Sequence, residues 1–171
     1  MAKWISSAGG PLILVPGNAV RSWQGINGSS FPSVASDYER ACSVREYVEV
    51  MPLSGEDTII FGEEPLQTTW LPRHENFGGV FIRWICAENE EAIIDSLDNL
   101  KLNAQENTGL NFTVRSDVPM RLFDAAFSGS AALASDEGLV IQIAPGAYKL
   151  TTIECSPTPK TKFLAHRIIP A

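Results

Sequence analysis

Glu63 and Glu64 stand side by side after the apolar run Thr58-Ile59-Ile60-Phe61 and the break at Gly62. Adjacent carboxylates can share acid and base work, because like charges push one of the two pKa values upward. Neighbours in an extended chain point to opposite faces, however. One of this pair can therefore turn inward to an arginine while the other meets solvent. Cys42 is the nucleophile candidate, since Arg40 or a helix end beside it would lower its pKa. A small buried hydrophobe on the inner face of a short helix is the commoner explanation of such a cysteine. His74 lies in a polar loop between Arg73 and Glu75, and His166 in the last apolar segment. No H-x-x-x-H or H-E-x-x-H spacing supplies zinc ligands, and no G-x-S-x-G elbow presents a serine. Gly9-Gly10-Pro11 is glycine-rich, but no helix pattern or G-K-[ST] follows, and Pro11 has no N–H to offer a phosphate. The residues thus point to no catalytic group, no metal and no cofactor, and favour binding over reaction.

The elements that would position these side chains are mostly strands. Gly9 and Gly10 permit positive φ or a close backbone approach, and Pro11 opens a strand through Leu12–Val15 that Pro16-Gly17 closes. Residues 18–35 are a loop rich in Gly, Ser and Asn, with Trp23 and Phe31 as anchors into the core. Ser36 or Asp37 caps a short helix from Tyr38 to about Ser43. Tyr47–Met51 and Thr58–Phe61 read as a hairpin around Ser54-Gly55-Glu56-Asp57. A loop then carries Trp70 and Pro72. Val80–Cys86 is apolar on nearly every position, so both its faces are covered. Arg83 interrupts it and needs a buried partner, for which Asp37, Glu63 and Glu64 are the candidates. Asn89 caps the clearest helix, whose stripe is Ile93, Ile94, Leu97 and Leu100. Further strands are read at Leu110–Val114, Met120–Phe123, Leu139–Ile143, Ala147–Ile153 and Lys162–Ile169, with a tight turn at Pro145-Gly146 pairing its flanks.

About nine strands and two helices give an α+β fold, predominantly antiparallel β with one or two helices. The chain of 171 residues is read as one domain, 1–171. A short echo between Ile60-Phe61-Gly62-Glu63 and Leu122-Phe123-Asp124-Ala125 leaves open two related β halves, 1–102 and 103–171.

Charge narrows the partner class. Between Asp37 and Asp98 there are 14 acids against four arginines, a net of −10 within a chain of net charge −7. Such a region repels nucleic acid and anionic membrane and attracts basic surfaces, or it simply keeps the protein soluble. No apolar run approaches the roughly 18 residues of a membrane span. The first residues are too briefly apolar for a secretory signal. Cys42, Cys86 and Cys155 are too scattered for a disulfide framework, and reduced, mostly buried thiols are expected.

Four ordered stretches carry a resemblance: Trp4-Ile5-Ser6-Ser7-Ala8-Gly9-Gly10-Pro11-Leu12-Ile13, Asp37-Tyr38-Glu39-Arg40-Ala41-Cys42, Phe61-Gly62-Glu63-Glu64-Pro65 with Thr69-Trp70, and Gly79-Val80-Phe81-Ile82-Arg83-Trp84. Together they are similar to the immunity protein 21 family, cytoplasmic antidotes of bacterial polymorphic toxin systems. The resemblance implies a non-enzymatic protein that binds a cognate toxin and blocks it sterically and electrostatically. A basic toxin such as a nuclease would suit the acidic region. Glu39, Glu63, Glu64 and Glu75, with Trp70 as an aromatic anchor, are the expected contact set. The competing expectation is a small-molecule-binding β domain whose Trp4, Trp23, Trp70 and Trp84 line a pocket.

Overall fold

The computed structural model describes residues 2–62, 65–73, 78–99 and 109–171. Along the chain run β1 (Leu12–Val15), α1 (Asp37–Cys42), β2 (Val48–Leu53), β3 (Glu56–Phe61), β4 (Gln67–Pro72) and β5 (Gly79–Cys86). There follow α2 (Glu90–Asn99), β6 (Leu110–Val114), β7 (Met120–Asp124), α3 (Gly129–Ala134), β8 (Leu139–Ile141), β9 (Gly146–Thr158) and β10 (Thr161–Pro170). Two single 3₁₀ turns, Val20–Ser22 and Gly25–Asn27, lie between β1 and α1.

The strands form two five-stranded antiparallel sheets, ordered β2-β3-β1-β7-β8 and β4-β5-β10-β9-β6. The fold is α+β with β dominant. Strands from either side of residue 102 sit together in both sheets.

Four layers result. Leu12 and Leu14 of β1 point into the slab between the sheets, with Ile59, Phe61, Phe81, Leu122 and Tyr148. Ile13 and Val15 point the other way, into a second core closed by Trp23, Ala41 and Ala132 from the segments around α1 and α3. This explains why all four residues of β1 are apolar and buried: a strand covered on both faces has no polar side. On the far side, Val80, Ile82, Ile153 and Phe163 pack under Ile93 and Leu97 of α2. The Asn89 side chain accepts the Ala92 N–H at 2.9 Å and so caps that helix.

Several expectations change. Trp70 and Pro72 belong to a strand, β4, rather than a loop. Pro72 is tolerated because β4 is an edge. The segment around Pro145-Gly146 does not join paired strands: β8 pairs β7, while β9 pairs β10 and β6 in the other sheet. The proline and glycine there serve a crossover between layers. The β2–β3 turn is tighter than read, only Ser54 and Gly55, both at positive φ, as a two-residue hairpin requires. A third helix, α3, was not expected; Ser128 caps it by accepting the Ala131 N–H.

The opening glycines divide their tasks. Gly9 holds φ +123°, which a side chain would strain. Gly10 does not, but a Cβ there would collide with the Tyr38 ring and hydroxyl. Gly10 is small so that α1 can lie against the start of β1, and Pro11 then gives its carbonyl to the Ala125 N–H at 3.0 Å.

Candidate functional site

Asp37 is fully buried and organises the loop before it. Its carboxylate accepts N–H bonds from Gln24 (2.8 Å) and Ser30 (2.9 Å), the Ser30 hydroxyl (2.8 Å) and the Arg40 guanidinium (3.2 Å). Charge-assisted bonds of this kind are the strong ones. They fold residues 24–36 into a fixed platform. Asp37 is thus engaged in its own loop and is not seen with Arg83. Ser36, not Asp37, is the cap of α1: its hydroxyl accepts the Glu39 N–H and the Glu39 carboxylate accepts the Ser36 N–H. Those bonds hold the Glu39 carboxyl below its ordinary range, so Glu39 is an exposed, charged residue. Phe31 is exposed rather than anchored in the core, and Arg40 sits 3.8 Å over its ring.

Arg83 is buried on the inner face of β5, in the same parity as Phe81. Its guanidinium donates to the carbonyls of Gly62 (2.9 Å) and Tyr47 (3.3 Å), across from the other sheet. Glu63 and Glu64 lie outside the described residues, as do His74 and Glu75. Near Arg83, His166 of β10 is fully buried, bonded to the Thr152 hydroxyl at 2.8 Å and edge-on to Phe61. Burial, and then the Arg83 charge, hold the His166 imidazole well below its usual range. It is a neutral core residue. Cys42 lies on α1, outside the first sheet, and is exposed. The fold therefore separates Cys42 from His166 by the thickness of a sheet. Cys86 is exposed too, against the expectation of mostly buried thiols. Cys155 is buried, and burial, with the neighbouring Glu154 charge, pushes its thiol up to about 11.

The four tryptophans do not share a pocket. Trp4 meets Trp84 edge-on at 5.3 Å beneath α2, and Trp23 donates its indole N–H to the Ala125 carbonyl in the outer core of the first sheet. Trp70 rests on Phe81, ring centres 4.5 Å apart, partly exposed at the edge of the central slab. Lys3 and Arg121 line the shallow depression beside it, together with Asp136, so its setting is mixed in charge.

The acids of the middle region are likewise divided. Glu39 faces out over the first sheet, whereas Glu88, Glu91 and Asp95 face out over the second. The central strands of both sheets are covered on both faces. A partner must therefore meet helices, loops or edges.

One concave feature was not anticipated. A recess of about 150 Å³ opens between β7, α3 and the first residues of the chain. Ile5, Phe123, Phe127, Ala131 and Ala132 form its apolar walls, and Asp124 and Glu137 its acidic groups. Asp124 ends β7 and is 7 % exposed; its two carboxylate oxygens accept the N–H groups of Ala8 (2.8 Å) and Ala126 (2.9 Å). Phe127 is 46 % exposed and Ile26, whose N–H bonds to the Ala126 carbonyl at 3.1 Å, is 61 % exposed. The apolar residue after Asp124-Ala125-Ala126 was the only signal of this site in the sequence, and a lone phenylalanine is a weak one. Among the described residues no helix is long and apolar enough to cross a membrane.

No curated protein and no solved structure is similar enough to the chain to count as a match. A family profile does match, over residues 3–161, and that span takes in α1, the Arg83 strand and both walls of the recess. The chain belongs to the Immunity protein 21 family.

Proposed function

We propose that this protein is the antidote of a bacterial polymorphic toxin system, acting as a single cytoplasmic domain that binds its cognate toxin and covers the toxin's working surface. Family membership over residues 3–161 is the observation that carries this reading. It performs no reaction of its own: steric cover and charge suffice. The net charge of −7 supports a basic toxin, a nuclease being the natural example, because opposite charge speeds encounter. Glu39, with Glu63, Glu64, Glu75 and Trp70, is the proposed contact set. Glu39 supports it best, as an exposed and ionised residue on a capped helix.

The experiment is co-expression with a candidate toxin domain taken from the neighbourhood of its gene, scored for growth rescue and for co-purification. Rescue together with a stable complex is the expected result. A chain that neither rescues growth nor co-purifies refutes the reading. Neutralising Glu39 with Glu39→Gln keeps the helix cap, so a slower association at low salt would assign that residue to the interface.

A further inference from the structure

We propose that the recess beside Phe127 receives one arginine or lysine side chain of the toxin, a proposal that rests on the antidote reading above. The chemistry is set by Asp124. Its carboxylate is more than nine-tenths buried, and among the described residues it forms no ion pair. Two backbone N–H groups offset part of the cost of burying that charge, and each oxygen retains acceptor capacity. Glu137 adds a second carboxylate at the rim, and among the described residues no Lys or Arg lines the recess, Lys3 being held outside it on the Asp136 and Gly138 carbonyls. A cation placed there adds a charged partner to a carboxylate whose two oxygens now accept only backbone N–H groups.

The walls select the kind of cation. Phe127, Ala131 and Ala132 offer apolar contact to an aliphatic stem, and the exposed Phe127 ring offers a face to a guanidinium. Metal ions and small hydrated cations gain nothing from such walls. The surroundings select a protein as the source. Phe127 and, beside it, Ile26, whose N–H is bonded to the Ala126 carbonyl, leave an exposed apolar collar next to the recess. A free amino acid would leave that collar wet, whereas a protein carrying the basic side chain on an apolar surface buries it. Anchors of this sort, an Arg in a preformed pocket ringed by apolar contacts, dominate interface energies. The chain's net charge of −7 favours the same partner.

The test has two arms. In the first, the full chain is titrated with N-acetyl-arginine methylamide while amide chemical shifts are read, and the neutral citrulline derivative serves as isosteric control. Saturable shifts at Ala126, Phe127, Ala131 and Gly138 are expected with arginine alone, at millimolar affinity. In the second, Ala131→Arg places a cation in the recess from its exposed rim, and Ala134→Arg adds the same charge on α3 away from the recess. The first variant should lose the arginine response and bind the toxin about tenfold more weakly, and the second should retain both. Equal response to arginine and citrulline derivatives, no response at the recess, or full toxin binding by Ala131→Arg overturns the proposal. If wild type protects and these outcomes hold, the antidote reading survives without this seat. If wild type fails to protect, the antidote reading and the proposed occupant fall together, whatever the titration gives.

Discussion

The two outer coverings of the molecule are built on opposite principles. Over the second sheet, α2 is a simple amphipathic helix, with Ile93 and Leu97 buried beneath it and Glu91 and Asp95 on its exposed face. Over the first sheet, the covering is loop and short helix, held by hydrogen bonds to the buried carboxylates of Asp37 and Asp124. That side leaves Ile26, Phe31, Val34 and Phe127 exposed. Hydrophobic cover is non-directional and needs only a stripe. A polar framework fixes a loop in one shape and lets it hold apolar side chains out of the core. Such a surface suits recognition, and the α2 side suits solubility.

The contrast can be broken from either end. Asp37→Ala strands the Gln24 and Ser30 N–H groups and leaves Arg40 without its partner. It should cost about 4 kcal/mol in urea denaturation and loosen residues 24–36 in amide exchange. A cost under about 1 kcal/mol would mean that the loop is held by packing instead. Ile93→Ala should cost about 3 kcal/mol, with the protection of the 24–36 loop unchanged, because its effect is a cavity under α2. Joint loosening of both coverings would show that they are coupled through the sheets. Gly10→Val should cost about 2 kcal/mol by forcing Tyr38 away from β1. In a Tyr38→Ala background the same substitution should cost much less, which a double-mutant cycle measures. Equal cost in both backgrounds would place the problem in the backbone.

The smallest effect sharpens the comparison from the middle layer. The folded-state pKa of His166 lies below the ordinary 6.5, so the unfolded chain takes up the proton first. Stability from this group is complete above pH 6.5 and declines as pH falls below it, by up to about 1.4 kcal/mol per pH unit. His166→Leu should remove that slope, and an unaltered slope would assign it to other groups.

Much of the fold was legible. The run at residues 110–114, the alternation of Leu139 and Ile141 against Val140, the Asn89 cap with the Ile93 and Leu97 stripe, and the 47–61 hairpin all rest on local spacing. Trp70 was misread because Thr-Thr-Trp followed by Leu-Pro shows no alternation, and its strand exists only because β5 lies beside it. Pro145-Gly146 is a bend running directly into β9 rather than a tight turn, and a Pro-Gly pair does not say which sheet receives the next strand. The recess was invisible for the same reason: Asp124 meets Ala8 across 116 positions of chain.

The amino-acid order alone settled the class of most local elements, β4 and α3 excepted, and the family, because periodicity, caps and ordered motifs are short-range properties written residue by residue. Tertiary structure alone decided that Arg83 shares a layer with His166, that the acids part to opposite faces, and that Asp124 and Phe127 share one recess. Those outcomes depend on which strands pair and which faces meet. Many distant contacts decide that together through the burial of apolar area, which has no direction along the chain.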